Sequence, residues 1–143
     1  MPTQRSSARA YGVCIDHASV LLVRAARSDD APELWWLPGG GIDFGESAID
    51  AVEREFIEET GVRVDHAVLQ DVLNDVRIRL NGEEIHTIRI IYRVRALSRE
   101  ITHEQDGTTN LARWVPLNEL PNYNLAPYAQ TSIQRALDEE SGS

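Results

Sequence analysis

The chain has 143 residues, 42% of them hydrophobic, which suits a single domain with its own core. Its formal net charge of −9 weighs against general nucleic-acid binding, which relies on a basic surface. No apolar run approaches the roughly 18 residues of a membrane span, and the first residues carry no apolar signal region, so we expect a cytoplasmic protein without a membrane partner. We place the domain at residues 7–138, with flexible ends at 1–6 and 139–143.

The N-terminal part of the chain predicts a β-hairpin and a short strand. Apolar runs at residues 11–15 and 20–23 flank the polar residues 16–19, where the turn is expected. The only cysteine, Cys14, has apolar neighbours and is expected to be a buried, inert thiol. Residues 34–37 predict a short strand that leads into a run of glycines, where the backbone can approach a ligand closely.

An amphipathic helix is predicted over residues 47–60. Ile49, Val52 and Phe56 recur at helical spacing and are expected to face the core. Gly61 is well placed as a left-handed C-terminal cap, so the helix is expected to end there.

Three carboxylates converge on this helix, because Glu55, Glu58 and Glu59 fall within a wedge of roughly 100°. Like charges so close are costly unless a cation lies among them, and oxygen-only ligands suit Mg²⁺ or Mn²⁺. Arg54 precedes Glu58 by four residues, so its guanidinium can hold a carboxylate in a fixed orientation. The alternative interpretation is a solvated acidic helix.

A second, longer hairpin is predicted from residues 62–80 and 84–97, joined at Asn81-Gly82. Apolar residues and arginines alternate along its strands, so we expect one face in the core and one face of arginines. The apolar positions are Val76, Ile78, Leu80, Ile88, Ile90, Tyr92 and Val94, and the arginines are Arg77, Arg79, Arg89, Arg93 and Arg95. The arginine face is either a solvated or acid-paired surface or a phosphate-binding wall.

The C-terminal third begins with a polar loop at residues 98–112. A strand is predicted at residues 113–116 and a helix at residues 127–137, where Ile133 and Leu137 lie four residues apart. The order of the elements predicts an α/β fold class.

One stretch, residues 40–62, carries a long pattern of fixed positions. Its members are Gly40, Glu46, Arg54-Glu55-Phe56, Glu58-Glu59 and Gly61-Val62. This pattern resembles the Nudix box, the loop-helix-loop signature of the Nudix hydrolases, at every fixed position. Phe56 stands where the family usually has an aliphatic residue, a departure that concerns packing more than chemistry.

The resemblance implies a Nudix-like α/β/α sandwich with a mixed β-sheet. It also implies a Mg²⁺-dependent (or Mn²⁺-dependent) hydrolase that cleaves the pyrophosphate linkage of a nucleoside diphosphate derivative by attack of a metal-activated water. The metal ligands implied are Glu55, Glu58, Glu59 and the carbonyl of Gly40. Arg54 would orient the carboxylates beside them.

A general base is expected near the attacking water. Glu55 within the box and Glu104 in the loop at 98–112 are both candidates, with Asp106 and Glu100 as further loop alternatives.

On the substrate side, Trp36 is a candidate to stack on a base, although a tryptophan beside a glycine run is commonly a core residue. Arg77 and Arg89 are candidates to bind phosphate if the arginine face is a phosphate-binding wall.

The substrate class is open. The proline that ADP-ribose pyrophosphatases tend to carry after the box would fall near Arg77, where none is present, so we favour nucleoside triphosphates or small nucleotide derivatives. The alternatives are an ADP-ribose or nucleotide-sugar pyrophosphatase and a non-catalytic nucleotide-binding sensor; an RNA-end enzyme is disfavoured by the net charge. We leave a homodimer open.

Overall fold

A computed structural model describes residues 3–24, 34–102 and 111–142. Its elements, in chain order, are β1 (Gln4–Asp16), β2 (Ser19–Arg24), β3 (Trp35–Trp36), β4 (Gly39–Gly41), α1 (Ala48–Thr60), β5 (Val64–Ile78), β6 (Glu84–Ala96), β7 (Leu111–Pro116) and α2 (Pro127–Gly142), with a 3₁₀ helix (Leu117–Asn122) before α2. No helix in this part of the chain is long and apolar enough to cross a membrane.

The strands form one mixed sheet in the order β3-β2-β1-β6-β5, with β4 paired to β1 and β7 paired to β2. Strands β1 and β6 run parallel, and the other pairs are antiparallel. The parallel pair joins two hairpins that are distant in the chain and places β1 at the centre of the sheet. This mixed sheet, flanked by helices, confirms the predicted α/β class.

The core lies in two layers, one on each face of the sheet. On one face, Val52 and Phe56 of α1 pack against strand residues that include Ala10, Cys14 and Leu21. On the other face, residues of α2 pack against Tyr11 and other side chains of the central strands. The sheet is therefore the middle layer of an α/β/α sandwich.

Both predicted hairpins are present. In the first, Asp16 pairs with Ser19, and His17 and Ala18 adopt positive φ angles of 50° and 57°, as a tight two-residue turn requires. In the second, Ile78 pairs with Glu84 across the turn that contains Asn81-Gly82.

The ends of the domain differ from the prediction. Residues 4–6 belong to β1 and pair with residues 84–86 of β6, so they are part of the sheet. At the other end, α2 continues to Gly142 instead of stopping near residue 137. In α1, Ile49 is 41% exposed, so the expectation that it faces the core was wrong. The buried seam of the helix instead runs through Ala51, Val52 and Phe56.

The prediction for the two faces of the long hairpin was also wrong in part. Val76, Ile78 and Leu80 are exposed, whereas Arg89 is only 9% exposed. The physical reason is the reach of the helices: within the described residues, neither core layer includes a β5 residue beyond Leu73. The distal half of β5 is therefore an uncovered edge of the sheet.

Candidate active site

Helix α1 is fixed at both ends by the residues that the sequence provides there. The Ser47 side chain accepts a hydrogen bond from Asp50 N at 3.0 Å, which caps the N-terminus. Gly61 adopts φ 78° and donates its N–H to the carbonyls of Phe56 and Ile57, which closes the C-terminus. Val52 and Phe56 are fully buried, which fixes the rotation of the helix about its axis, and Glu55 and Glu59 project toward the glycine loop.

The glycine loop makes direct contact with two of these glutamates. Gly39 N donates to Glu59 Oε1 at 2.8 Å. A Cβ at Gly40 would lie 2.8 Å from the carboxyl carbon of Glu55, and one at Gly39 would lie 2.2 Å from the Ala10 carbonyl oxygen. Only glycine therefore allows β4 to pass between β1 and the carboxylates of α1.

Arg54 ties the loop that precedes α1 to the helix. Its Nε and Nη2 donate to the two carboxylate oxygens of Glu46 at 2.8 and 2.9 Å, a bidentate pair, and Nη2 also donates to the Gly41 carbonyl at 3.1 Å. Its Nη1 donates to Glu55 at 3.0 Å and to Glu58 at 3.2 Å, so the contact expected from the four-residue spacing to Glu58 is present. One guanidinium thus orients three carboxylates.

Burial and ion pairing move the pKa values of these carboxyl groups in opposite directions. Hydrogen bonds from Arg54 lower the pKa of Glu46 to about 2. Loss of water around Glu55 raises its pKa, against the opposing effect of Arg54. Burial raises the pKa of Glu59 to about 8, although Gly39 N donates to it, and the nearby charge of Glu55 adds to the increase. A cation bound beside Glu59 would lower this pKa and favour the ionised carboxylate.

The donor types at this site fit Mg²⁺ or Mn²⁺, because carboxylates and a backbone carbonyl are oxygen ligands. Within residues 3–24, 34–102 and 111–142, no group of three or more His, Cys, Asp or Glu side chains is arranged to hold a metal ion as it stands. Glu55 and Glu58 each direct one carboxylate oxygen toward the Arg54 guanidinium.

A cluster of aromatic rings surrounds Arg89 on the α2 face of the sheet. The Arg89 Cζ lies 4.4 Å from the ring centre of Tyr128 and 5.7 Å from that of Trp36. Its Nε donates to Asp75 at 2.8 Å and its Nη1 donates to the Tyr11 hydroxyl at 2.8 Å. The structure therefore brings together two of the predicted substrate-binding residues, Trp36 and Arg89.

Sequence reasoning missed three residues of this region, Arg9, Tyr11 and Tyr128. Arg9 Nε donates to the Tyr11 hydroxyl at 2.6 Å, and its charge lowers the pKa values of Glu55 and Glu59. Tyr128 is buried, and its hydroxyl has no hydrogen-bond partner within the described residues. Tyr128 lies more than 100 residues along the chain from Arg9 and Tyr11, so no local spacing indicated that they meet.

The other predicted site residues lie elsewhere or outside the described residues. Arg77 is exposed and pairs with Ile85, whereas Arg89 pairs with Leu73, four residues away along β5. Glu100 is exposed, in the segment where Thr102 N donates to the Thr60 carbonyl at the end of α1. Glu104 and Asp106 lie outside the described residues.

Comparison with known proteins identifies relatives over most of the chain. The family model of the NUDIX domain matches residues 4–138. Nucleoside triphosphatase NudI of Escherichia fergusonii is 34% identical over 103 residues, 66% of this chain and 70% of that protein. Nudix hydrolase 26, chloroplastic, of Arabidopsis thaliana is 40% identical over 79 residues, 50% of this chain and 36% of that protein. The chain spans about a third or less of the length of several curated relatives that it matches.

Solved structures have the same fold. The MutT NUDIX hydrolase from Burkholderia pseudomallei aligns with a TM-score of 0.77 and 25% identity, over 92% of this chain and 98% of that chain. The NUDIX domain of Shewanella oneidensis NrtR, complexed with ADP ribose, aligns with a TM-score of 0.73 and 22% identity, over 97% of this chain and 90% of that chain.

Proposed function

The chain belongs to the Nudix family, and from that premise we propose that it is a pyrophosphohydrolase that acts on nucleoside triphosphates or small nucleotide derivatives with Mg²⁺ or Mn²⁺. The observation that carries the proposal is the pair of contacts between the glycine loop and α1, Gly39 with Glu59 and Gly40 with Glu55. These contacts hold carboxylates of α1 beside β4, and β4 pairs with the part of β1 that carries Tyr11, whose hydroxyl accepts from Arg89 beside the ring of Trp36.

Glu55, Glu58, Glu59 and the carbonyl of Gly40 would hold the ion. When bound, the metal supplies positive charge for the diphosphate and makes a water molecule more acidic. Arg54 restricts the orientations of Glu55 and Glu58, so the carboxylates need little ordering when the substrate arrives. The water attacks a phosphorus, its proton passes to a carboxylate, and the bridging oxygen leaves with the other product.

The acceptor of that proton is either Glu55 or Glu104. The raised pKa of Glu55 supports the first, because a base works best when its pKa is closer to the working pH. Family resemblance supports the second, since Nudix enzymes often supply an acid from this loop.

On the substrate side, Arg89 is the better placed of the two candidate arginines. Its guanidinium is held by Asp75 and Tyr11 beside the ring of Trp36, so one region offers both a cation for phosphate and a ring for a base. Arg77 stays a prediction. The similarity to a nucleoside triphosphatase over 70% of its length supports the triphosphate class.

A screen of nucleotides with Mg²⁺ tests the proposal, by measuring released phosphate, pyrophosphate and nucleoside monophosphate. We expect turnover of one or more nucleoside triphosphates, with a rate loss of about 10² or more in Glu58→Gln and Glu59→Gln. Glu119→Gln, at an exposed position of the 3₁₀ helix, is the matched control and should keep the wild-type rate.

Other outcomes of the same screen identify the alternatives. Preferred turnover of ADP-ribose or nucleotide sugars would replace the triphosphate class, and binding without turnover of any compound would indicate a nucleotide sensor. The cytoplasmic location stays a prediction from the sequence.

A further inference from the structure

The exposed large hydrophobic side chains are concentrated on one strand. Of the ten within the described residues, six lie between residues 68 and 80, on β5 or directly after it, with exposures of 51 to 79%. They are Val68, Leu69, Val72, Val76, Ile78 and Leu80. A cluster of this size on a water-facing surface indicates an interaction site.

The same strand is an edge of the sheet. β5 stands last in the strand order, pairs with β6 on one side only, and runs for 15 residues without proline. A long apolar edge strand has a row of backbone donors and acceptors that favours pairing with another strand. The position and the composition of β5 thus point to the same kind of partner, an added β-strand.

We propose that the partner is a second copy of this chain, paired antiparallel through β5 with the two-fold axis at Val76. In this register Val76 lies opposite Val76 of the partner subunit, and Asp75 lies opposite Arg77 of the partner subunit. By symmetry Arg77 lies opposite the partner's Asp75, so two ion pairs form on one face of the joined sheet. The Asp75 side chain accepts from Arg89 and is still 46% exposed, so it can also accept from a second arginine.

Charge selects this register over its neighbours. Moving the axis by one residue, to Asp75, places Asp75 opposite the partner's Asp75, and moving it to Arg77 places Arg77 opposite the partner's Arg77. Like charges directly opposite each other destabilise a strand pair, and opposite charges stabilise it. The sequence Asp75-Val76-Arg77 is therefore self-complementary only about its central valine.

The apolar side chains and the backbone are compatible with the same axis. Val76 then lies opposite its own copy, Asn74 lies opposite Ile78 of the partner subunit, and Val72 lies opposite Leu80 of the partner subunit. These side chains are on the opposite face of the strand from the ion pairs. Every pair about this axis joins two residues whose side chains lie on the same face of the strand. Residues whose backbone N–H and C=O groups point away from β6 therefore lie opposite residues of the other copy whose groups also point away from β6. The proposal does not depend on the hydrolase activity.

Mass measurement is the first test. Light scattering after gel filtration should give twice the 16.0 kDa mass of the chain at micromolar concentrations. Val76→Arg brings two like charges together at the axis and should weaken the dimer by about tenfold or more. Ile57→Arg, at a residue that is 51% exposed on α1, is the matched control and should leave the mass unchanged. Circular dichroism verifies that both variants are folded.

Cross-linking tests the register itself. Residues directly opposite in an antiparallel pair have Cα atoms about 4.5 to 5.5 Å apart, within the range of a disulfide. Val76→Cys should therefore form an intermolecular disulfide on mild oxidation, while Asn74→Cys alone, about 13 Å from its own copy along the strand, should not. The double variant Asn74→Cys with Ile78→Cys should cross-link again. Cys14 is fully buried and should stay unreacted.

A monomer at every concentration up to about 100 μM would overturn the proposal, since this edge would then have no affinity for its copy. A dimer that Val76→Arg leaves intact, or that Val76→Cys does not cross-link, would also overturn it, because the contact surface would lie elsewhere. Hydrolase activity is assayed separately, so its loss or retention does not affect this result.

Discussion

The buried carboxyl of Glu59 is expected to destabilise the metal-free protein at neutral and alkaline pH. Burial raises its pKa from 4.5 to about 8, so the folded state retains the proton over a range where the unfolded chain releases it. The stability that the folded protein gains by holding this proton is therefore fully present below pH 4.5. It declines above that pH and is lost as the pH rises through 8. One pH unit in pKa corresponds to about 1.4 kcal/mol, so the full change corresponds to about 5 kcal/mol.

Glu59→Gln isolates this effect, because glutamine does not titrate and its amide oxygen can still accept the hydrogen bond from Gly39 N. Urea unfolding in chelator gives the free energy of unfolding of wild type and variant at intervals from pH 5 to pH 9. We expect the variant to gain stability relative to wild type as the pH rises, by several kcal/mol over this range. Glu119→Gln controls for the general effect of removing a carboxylate from an acidic protein.

A difference between Glu59→Gln and wild type that does not change with pH would refute this account of the site. It would mean that Glu59 is already ionised in the folded protein, with water or a cation beside it. At pH 8, Mg²⁺ should stabilise wild type more than the variant, since an ion that binds only the folded state raises its stability.

Three further predictions concern the metal, the base and the cysteine. Chelator should abolish hydrolysis, and Mg²⁺ or Mn²⁺ should restore it, whereas Zn²⁺ should serve poorly because the site offers only oxygen ligands; full activity in chelator would contradict the mechanism. If Glu104 is the base, Glu104→Gln should lower kcat by about 10² to 10⁴ with little change in metal affinity, whereas less than about fivefold would leave Glu55 as the base. Burial raises the pKa of the Cys14 thiol to about 12, so alkylation at pH 8 should be about 10³-fold slower in the folded protein than in urea. Comparable rates in the two conditions would show that the thiol is accessible.

The sequence by itself determined the helix that carries the carboxylates. Ser47 and Gly61 set its ends, and the spacing of Arg54 and Glu58 set their contact, because these interactions join residues within a few turns of one helix. The hairpins were predicted from the alternation of apolar and polar residues and from the turn residues, because these signals are also local in the sequence. The glycines of the box were recognised as a pattern, but the pattern did not say which side chains they would touch.

The tertiary structure decided which strand is central and which is an edge. The parallel pairing of β1 with β6 joins residues about 80 apart and places Tyr11 beside Arg89. The reach of the helices leaves the distal half of β5 uncovered. Alternation of apolar and charged residues gives two faces to a strand, but it contains no information about which neighbour covers each face. Arg89 is therefore buried and Val76 exposed, and the pKa of Glu59 is raised, because burial depends on strand order and helix placement, which local spacing does not specify.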